Sequence, residues 1–272
     1  MKRNNSSILI AGGMLVLSIL ACNFGRTPDP FEPVPPTVAQ GMTQAAQAPT
    51  AEAATEAPVN GGGGACANPY LPVVMGATWN YKMTGSVSDT FTRSIVTADG
   101  SSFTDQDVFG TGVTRQGKWN CDSGNLTALN PSNGGSASVS TENVTVDFQT
   151  TAFSGVTLPA TVNPGDAWEQ STTLEGTETI NDMVIPAKNE FTNSCKAVGV
   201  ESVTVEAGTF DAMRVDCVTN MKITITMQET PVETALTLNG TSWYAEGVGM
   251  IKSASTGQGV DSTIELVSYA IP

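Results

Sequence analysis

From Cys66 to Pro272 apolar side chains recur at every second position. This period of two describes strands with one covered face and does not fit an amphipathic helix. Val144, Val146 and Phe148 share one face with polar residues between them, Ile223, Ile225 and Met227 repeat the pattern, and Leu236 and Leu238 follow it. Turn chemistry separates the runs, at Asp99-Gly100, Asn133-Gly134, Asn163-Pro164-Gly165 and Asn239-Gly240. The expectation is an all-β domain over 66–272, antiparallel, with roughly 12 to 16 strands of ordinary length. It would form one strongly curved sheet, a half-barrel or a sandwich.

Composition narrows the chemistry. Only 14% of the 272 residues are charged, the formal net charge is −14, and histidine is absent. An acidic surface repels nucleic acid, so a nucleic-acid partner is not expected. Without histidine the commonest general base and the commonest metal ligand are both missing. Phosphate loops, dinucleotide fingerprints and Gly-x-Ser-x-Gly elbows do not occur.

Four cysteines, Cys66, Cys121, Cys195 and Cys217, fall within the β segment and allow three pairings. Cys195 and Cys217 lie symmetrically about Glu206, beside the turn Ala207-Gly208-Thr209. On the second arm Met213, Val215 and Cys217 are in phase, so a hairpin brings the two thiols face to face. Cys66 then pairs with Cys121. The spacing lacks a Cys-x-x-Cys motif, and no metal site or cofactor is expected.

The tryptophans suggest two pseudo-repeats. Gly76-Ala77-Thr78-Trp79 and Gly165-Asp166-Ala167-Trp168 open the halves, and Gly117-Lys118-Trp119 and Gly240-Thr241-Ser242-Trp243 follow downstream. Each half thus has a Gly-x-x-Trp opening and a later strand carrying tryptophan after glycine.

The first 65 residues read differently. Lys2 and Arg3 precede an apolar run from Ile8 to Leu20, too short to span a bilayer, and Ile19-Leu20-Ala21-Cys22 closes it. That ending resembles the lipobox of bacterial lipoproteins. The resemblance implies a signal peptide over 1–21, lipidation of Cys22 and attachment to a bacterial membrane, at the cell surface or the periplasmic face. Two acyl chains hold a protein stably where one does not. Residues 22–65, rich in Pro, Ala and Thr and ending in Gly61 to Gly64, then form a disordered linker.

Three short motifs resemble a group of bacterial envelope proteins called TapB-like. They are Tyr70-Leu71-Pro72 through Gly76-Ala77-Thr78-Trp79-Asn80-Tyr81, Val203-Thr204-Val205-Glu206-Ala207-Gly208-Thr209-Phe210-Asp211-Ala212-Met213-Arg214-Val215, and Trp243-Tyr244-Ala245-Glu246-Gly247-Val248-Gly249-Met250-Ile251-Lys252. The resemblance implies a bent antiparallel sheet, similar to the half-barrels of lipoprotein carriers, and supplies no catalytic residues.

Candidate sites are few. Trp243 and Tyr244 offer an aromatic shelf for a ligand, and the glycines Gly247 and Gly249 permit a bend that turns the two rings to different sides. Asp99, Asp105 and Asp107 form one acidic cluster and Glu175, Glu178 and Asp182 another; both are expected to be solvated surface, since neither has calcium-loop spacing. The expectation is therefore a non-enzymatic, lipid-anchored envelope module that binds a polymer or protein partner. The alternative is a carrier for a lipid or other apolar molecule on the concave face of the sheet.

Overall fold

A computed structural model describes residues 64–129, 138–140, 144–180, 183–227, 230–257 and 260–272. Cys22, the linker up to residue 63, the turn Asn133-Gly134 and Asp182 lie outside them.

Among the described residues thirteen strands form one antiparallel sheet. In chain order they are β1 (Thr78–Gly85), β2 (Asp89–Ala98), β3 (Ser102–Phe109), β4 (Thr114–Asp122), β5 (Asn125–Ala128), β6 (Ser138–Ser140) and β7 (Val144–Gly155). Then follow β8 (Ala167–Ile180), β9 (Met183–Val205), β10 (Gly208–Met227), β11 (Thr230–Ala245), β12 (Gly249–Gly257) and β13 (Val260–Ala270). Alternating burial along β2, β3 and β4 shows why they are strands: each hides every second residue.

Neighbours in sequence are mostly neighbours in the sheet, and β1 joins β13, bringing the two ends of the domain together. The curvature goes beyond a half-barrel. Strand β4 pairs with β3 on one edge and with both β5 and β6 on the other, so the pairing runs nearly full circle. The joint between β4 and β6 is two residue pairs, Thr114 with Ser140 and Arg115 with Val139. No helix among the described residues is long and apolar enough to cross a membrane.

One end of this ring is filled. Trp79, Phe103, Leu126, Ile251 and Leu266 are almost wholly buried there. The segment entering β1 covers that end: Asn68 donates from Nδ2 to the carbonyls of Gly124 (2.8 Å) and Pro159 (2.9 Å), and Cys66 is joined to Cys121. The β9–β10 hairpin curls over the same end, where the Ala207 N–H donates to the Leu266 carbonyl of β13 at 3.2 Å. A second apolar cluster fills the long strands β7 to β11, around Phe148, Leu174, Phe191, Met221 and Ile223.

The second disulfide, Cys195 to Cys217, joins residues in direct register on β9 and β10. Alternation singles out this pair, and Cys66 with Cys121 is the pair it leaves. Asn239-Gly240 is a correction: it makes no turn and lies within β11, paired on both sides by β10 and β12. Two ladders of backbone hydrogen bonds override a local preference for turning. Trp79 and Trp119 stand on the first and fourth strands of β1–β4, and Trp168 and Trp243 on the first and fourth of β8–β11.

Candidate functional site

The two aromatic residues singled out at 243 and 244 do not form one shelf. They are neighbours on a strand that pairs regularly with β10, so they point to opposite faces; the register shift beside them leaves Ile251 of β12 unpaired. Trp243 lies in register with Arg214 on one side and Lys252 on the other. Its indole N–H donates to Glu201 Oε1, and Lys252 Nζ stands 5.8 Å from the ring centroid. Arg214 grips Asp216 with two bonds of 3.0 Å, Thr241 donates to the same carboxylate at 2.8 Å, and Lys252 pairs with Glu265 at 2.8 Å. Trp243 is thus a half-buried ring held in orientation within a solvent-facing patch carrying both signs of charge.

Tyr244 belongs to the other face. It is in register with the buried Met213 and half-buried itself. Burial raises the pKa of its hydroxyl, and Ser242 and the Arg93 guanidinium draw it back.

Around Arg93 a row of charge crosses three strands. Trp79, Arg93, Asp107 and Arg115 are successive register partners on β1, β2, β3 and β4. Arg93 donates from Nε to Asp107 Oδ1 at 2.8 Å and from Nη2 to Oδ2 at 2.9 Å. Arg115 Nη2 donates to the same Oδ2 at 2.6 Å. Aromatic faces support both cations: Arg115 lies 5.0 Å from the Phe109 centroid and Arg93 6.0 Å from that of Phe91.

The row beside it is Ile95, Asp105 and Gly117. A Cβ on Gly117 would stand 2.2 Å from Asp105 Oδ1 and 3.3 Å from Trp119 Nε1, so only glycine leaves room for that carboxyl. Asp105 is 2% exposed and Asp107 1%. The expectation of a solvated cluster at Asp99, Asp105 and Asp107 is therefore corrected. Asp105 and Asp107 share the inward phase of Phe103, whereas Asp99 caps the exposed β2–β3 turn. The Ser102 hydroxyl, with the N–H groups of Ser101 and Ser102, lowers the Asp99 pKa to about 2. The second cluster also separates, since Glu175 is exposed and Glu178 is 5% exposed.

The two inner carboxyls shift in opposite directions, although burial raises both. For Asp107 desolvation is outweighed by Arg93 and Arg115, and its pKa falls below the ordinary carboxylate value. For Asp105 desolvation prevails over Arg93, 3.7 Å away, and its pKa rises. Two guanidiniums therefore share one firmly ionised carboxylate. Among the described residues no group of three or more cysteines and acids converges in a metal-binding arrangement.

Residues 110–266, more than half of the sequence, match the DUF3108-like family profile. The chain belongs to the DUF3108-like family. The match takes in β4 to β12, most of β13 and all of the Trp243 patch, but of the charge row only Arg115. It carries a different family label from the TapB-like group that the short motifs resemble. No curated protein matches the sequence. Among solved structures the chain is similar to a lipoprotein candidate of Parabacteroides distasonis, at 16% identity and a TM-score of 0.49, covering 75% of this chain and 99% of that one. It is also similar to an exported-protein candidate with a YmcC-like fold from Bacteroides fragilis, at 15% identity and a TM-score of 0.45 over the same shares of the two chains. A third is the hypothetical lipoprotein YmcC from Escherichia coli, at 11% identity and a TM-score of 0.33, covering 75% of this chain and 88% of that one.

Proposed function

We propose that this DUF3108-like chain is a non-catalytic module of a bacterial envelope, held to a membrane by lipid on Cys22, that contacts an envelope polymer through the Trp243 patch. The oriented indole is the observation that carries the reading. Glu201 and Lys252 fix the ring before any partner arrives, which lowers the ordering cost of binding. The surrounding Arg214, Asp216, Thr241 and Glu265 supply donors and acceptors at the rim. The apolar run closed by Ile19-Leu20-Ala21-Cys22 supports the anchor, and the Pro- and Gly-rich stretch after it supports a spacer. Its inner charged side chains are engaged with one another across the sheet, which favours a structural role over catalysis for them.

The test is co-sedimentation of the mature chain with purified cell-wall polymer, comparing wild type with Trp243→Ala. The wild type sediments with the polymer and the variant stays largely in solution. Equal sedimentation of the two, or none by either, removes the polymer reading. Cys22→Ser moves the protein out of the detergent phase on phase separation; unchanged partitioning removes the anchor.

A further inference from the structure

Independently of the Trp243 patch, we propose that the part of β9 that outruns β8, residues 198–205, is a docking edge on which an extended, basic segment of a partner protein adds as a further strand.

The backbone of β9 carries this. Strand β8 pairs with β9 only as far as Ala167 with Lys196. Ala197 then donates its N–H to the Asp166 carbonyl and accepts from the Gly165 N–H, both at 2.9 Å. A register shift follows, in which Val198 has no partner on β10, and β9 runs on to Val205 with β10 alone beside it. Among the described residues no backbone hydrogen bond is made on its other edge from Val198 to Val205. An edge of this kind is a template for an added strand, in which main-chain bonds supply affinity and alternate side chains supply specificity.

The edge is held in place and unguarded. Val203 and Val205, with Phe210 and Ala212 on β10, pack into the larger apolar cluster, so the strand is ordered before a partner arrives. On the opposite face Val200 is 60% exposed and Ser202 and Thr204 are open to solvent, while Val198, at the register shift, is 47% exposed. A Cβ on Gly199 would meet no atom within 4 Å. Bare edges are normally blunted by lysine or proline. Strand β11 outruns β12 in the same way, from Thr230 to Leu238, and there Pro231 has no N–H to offer. Between Val198 and Val205 neither residue type occurs, and the one carboxylate, Glu201, is engaged by Trp243.

Charge selects the occupant. From Val198 to Met213 the hairpin carries Glu201, Glu206 and Asp211, all exposed, and no lysine or arginine. An added strand bearing lysine or arginine complements them across the new pairing. A second copy of this chain would set the same acids against one another, which is destabilising.

The mature chain is titrated, by fluorescence anisotropy, with a labelled ten-residue peptide of alternating valine and threonine in which two residues are lysine. Two further probes are its glutamate counterpart and its fully N-methylated form, which has no N–H to donate. The lysine peptide binds, the glutamate peptide binds at least tenfold more weakly, and the N-methylated form does not bind. Amide hydrogen exchange over residues 198–205 slows in the complex. Val200→Lys places a guard on the edge and weakens binding at least tenfold. Val218→Lys alters another exposed valine, flanked by β9 and β11, and leaves binding unchanged. Absence of binding by the lysine peptide overturns the proposal, as do equal binding by either of the other probes and equal effects of the two substitutions. Sedimentation of the free chain as a dimer that Val200→Lys dissolves also overturns it, and gives the edge to a second copy.

Discussion

Arg93 and Asp107 face each other in direct register on β2 and β3 and are joined by two hydrogen bonds of 2.8 and 2.9 Å, inside the ring. Buried pairs of this kind are costly to break because the abandoned partner stays charged and unsolvated. Asp107→Ala strands two guanidiniums and is expected to destabilise by about 3–5 kcal/mol. Urea unfolding followed by tryptophan fluorescence reads it; a midpoint shift within error of an exposed control such as Asp122→Ala refutes the arrangement.

Gly117 opposes Asp105 with no room for a side chain. In Gly117→Ala the new methyl displaces Asp105 from its place beside Trp119. The loss is expected to be at least about 2 kcal/mol, within the range for overpacking. Its signature is a changed near-ultraviolet spectrum of the Trp119 environment, absent in the unobstructed change Gly199→Ala.

Glu178 is buried, and desolvation raises its pKa. A carboxyl with a folded value above its unfolded one contributes stability that is complete at pH below the unfolded value and is lost as pH rises through the folded value. Glu178→Gln keeps the shape and removes the ionisation. The variant should melt at the wild-type temperature below pH ~4 and above it near pH 8. A constant difference across that window refutes the prediction.

The disulfides close loops of 22 and 55 residues. In the chain-entropy model they contribute about 3 and about 4 kcal/mol. Paired Cys→Ala replacements at 195/217 and 66/121 should rank in that order in urea. The reverse ranking would place the main effect in native contacts.

Much of the β architecture could be read from alternation because each strand hides one face. The Cys195–Cys217 register followed from symmetry about one hairpin turn. The charge row is legible in the same alternation. Arg93 stands in phase with Phe91 and Ile95, Asp105 and Asp107 with Phe103, and Arg115 with Trp119. A charge on the apolar phase of a strand signals an inward ion. Acidic spacing along the chain carries no such information, and it grouped Asp99 with two residues that point elsewhere. Asn239-Gly240 misled for the opposite reason: strand partners far away in sequence decided its conformation.

The two-pair splice between β4 and β6 has a consequence for how copies of this molecule behave in a crowd. A sheet that bites its own tail offers little bare backbone for a neighbour's strand to zip onto. Should that short splice part together with the Leu126–Leu158 bridge beside it, the ring becomes a ribbon with two naked rims, and the acidic character of the chain would be left to keep neighbouring copies from stitching into fibres.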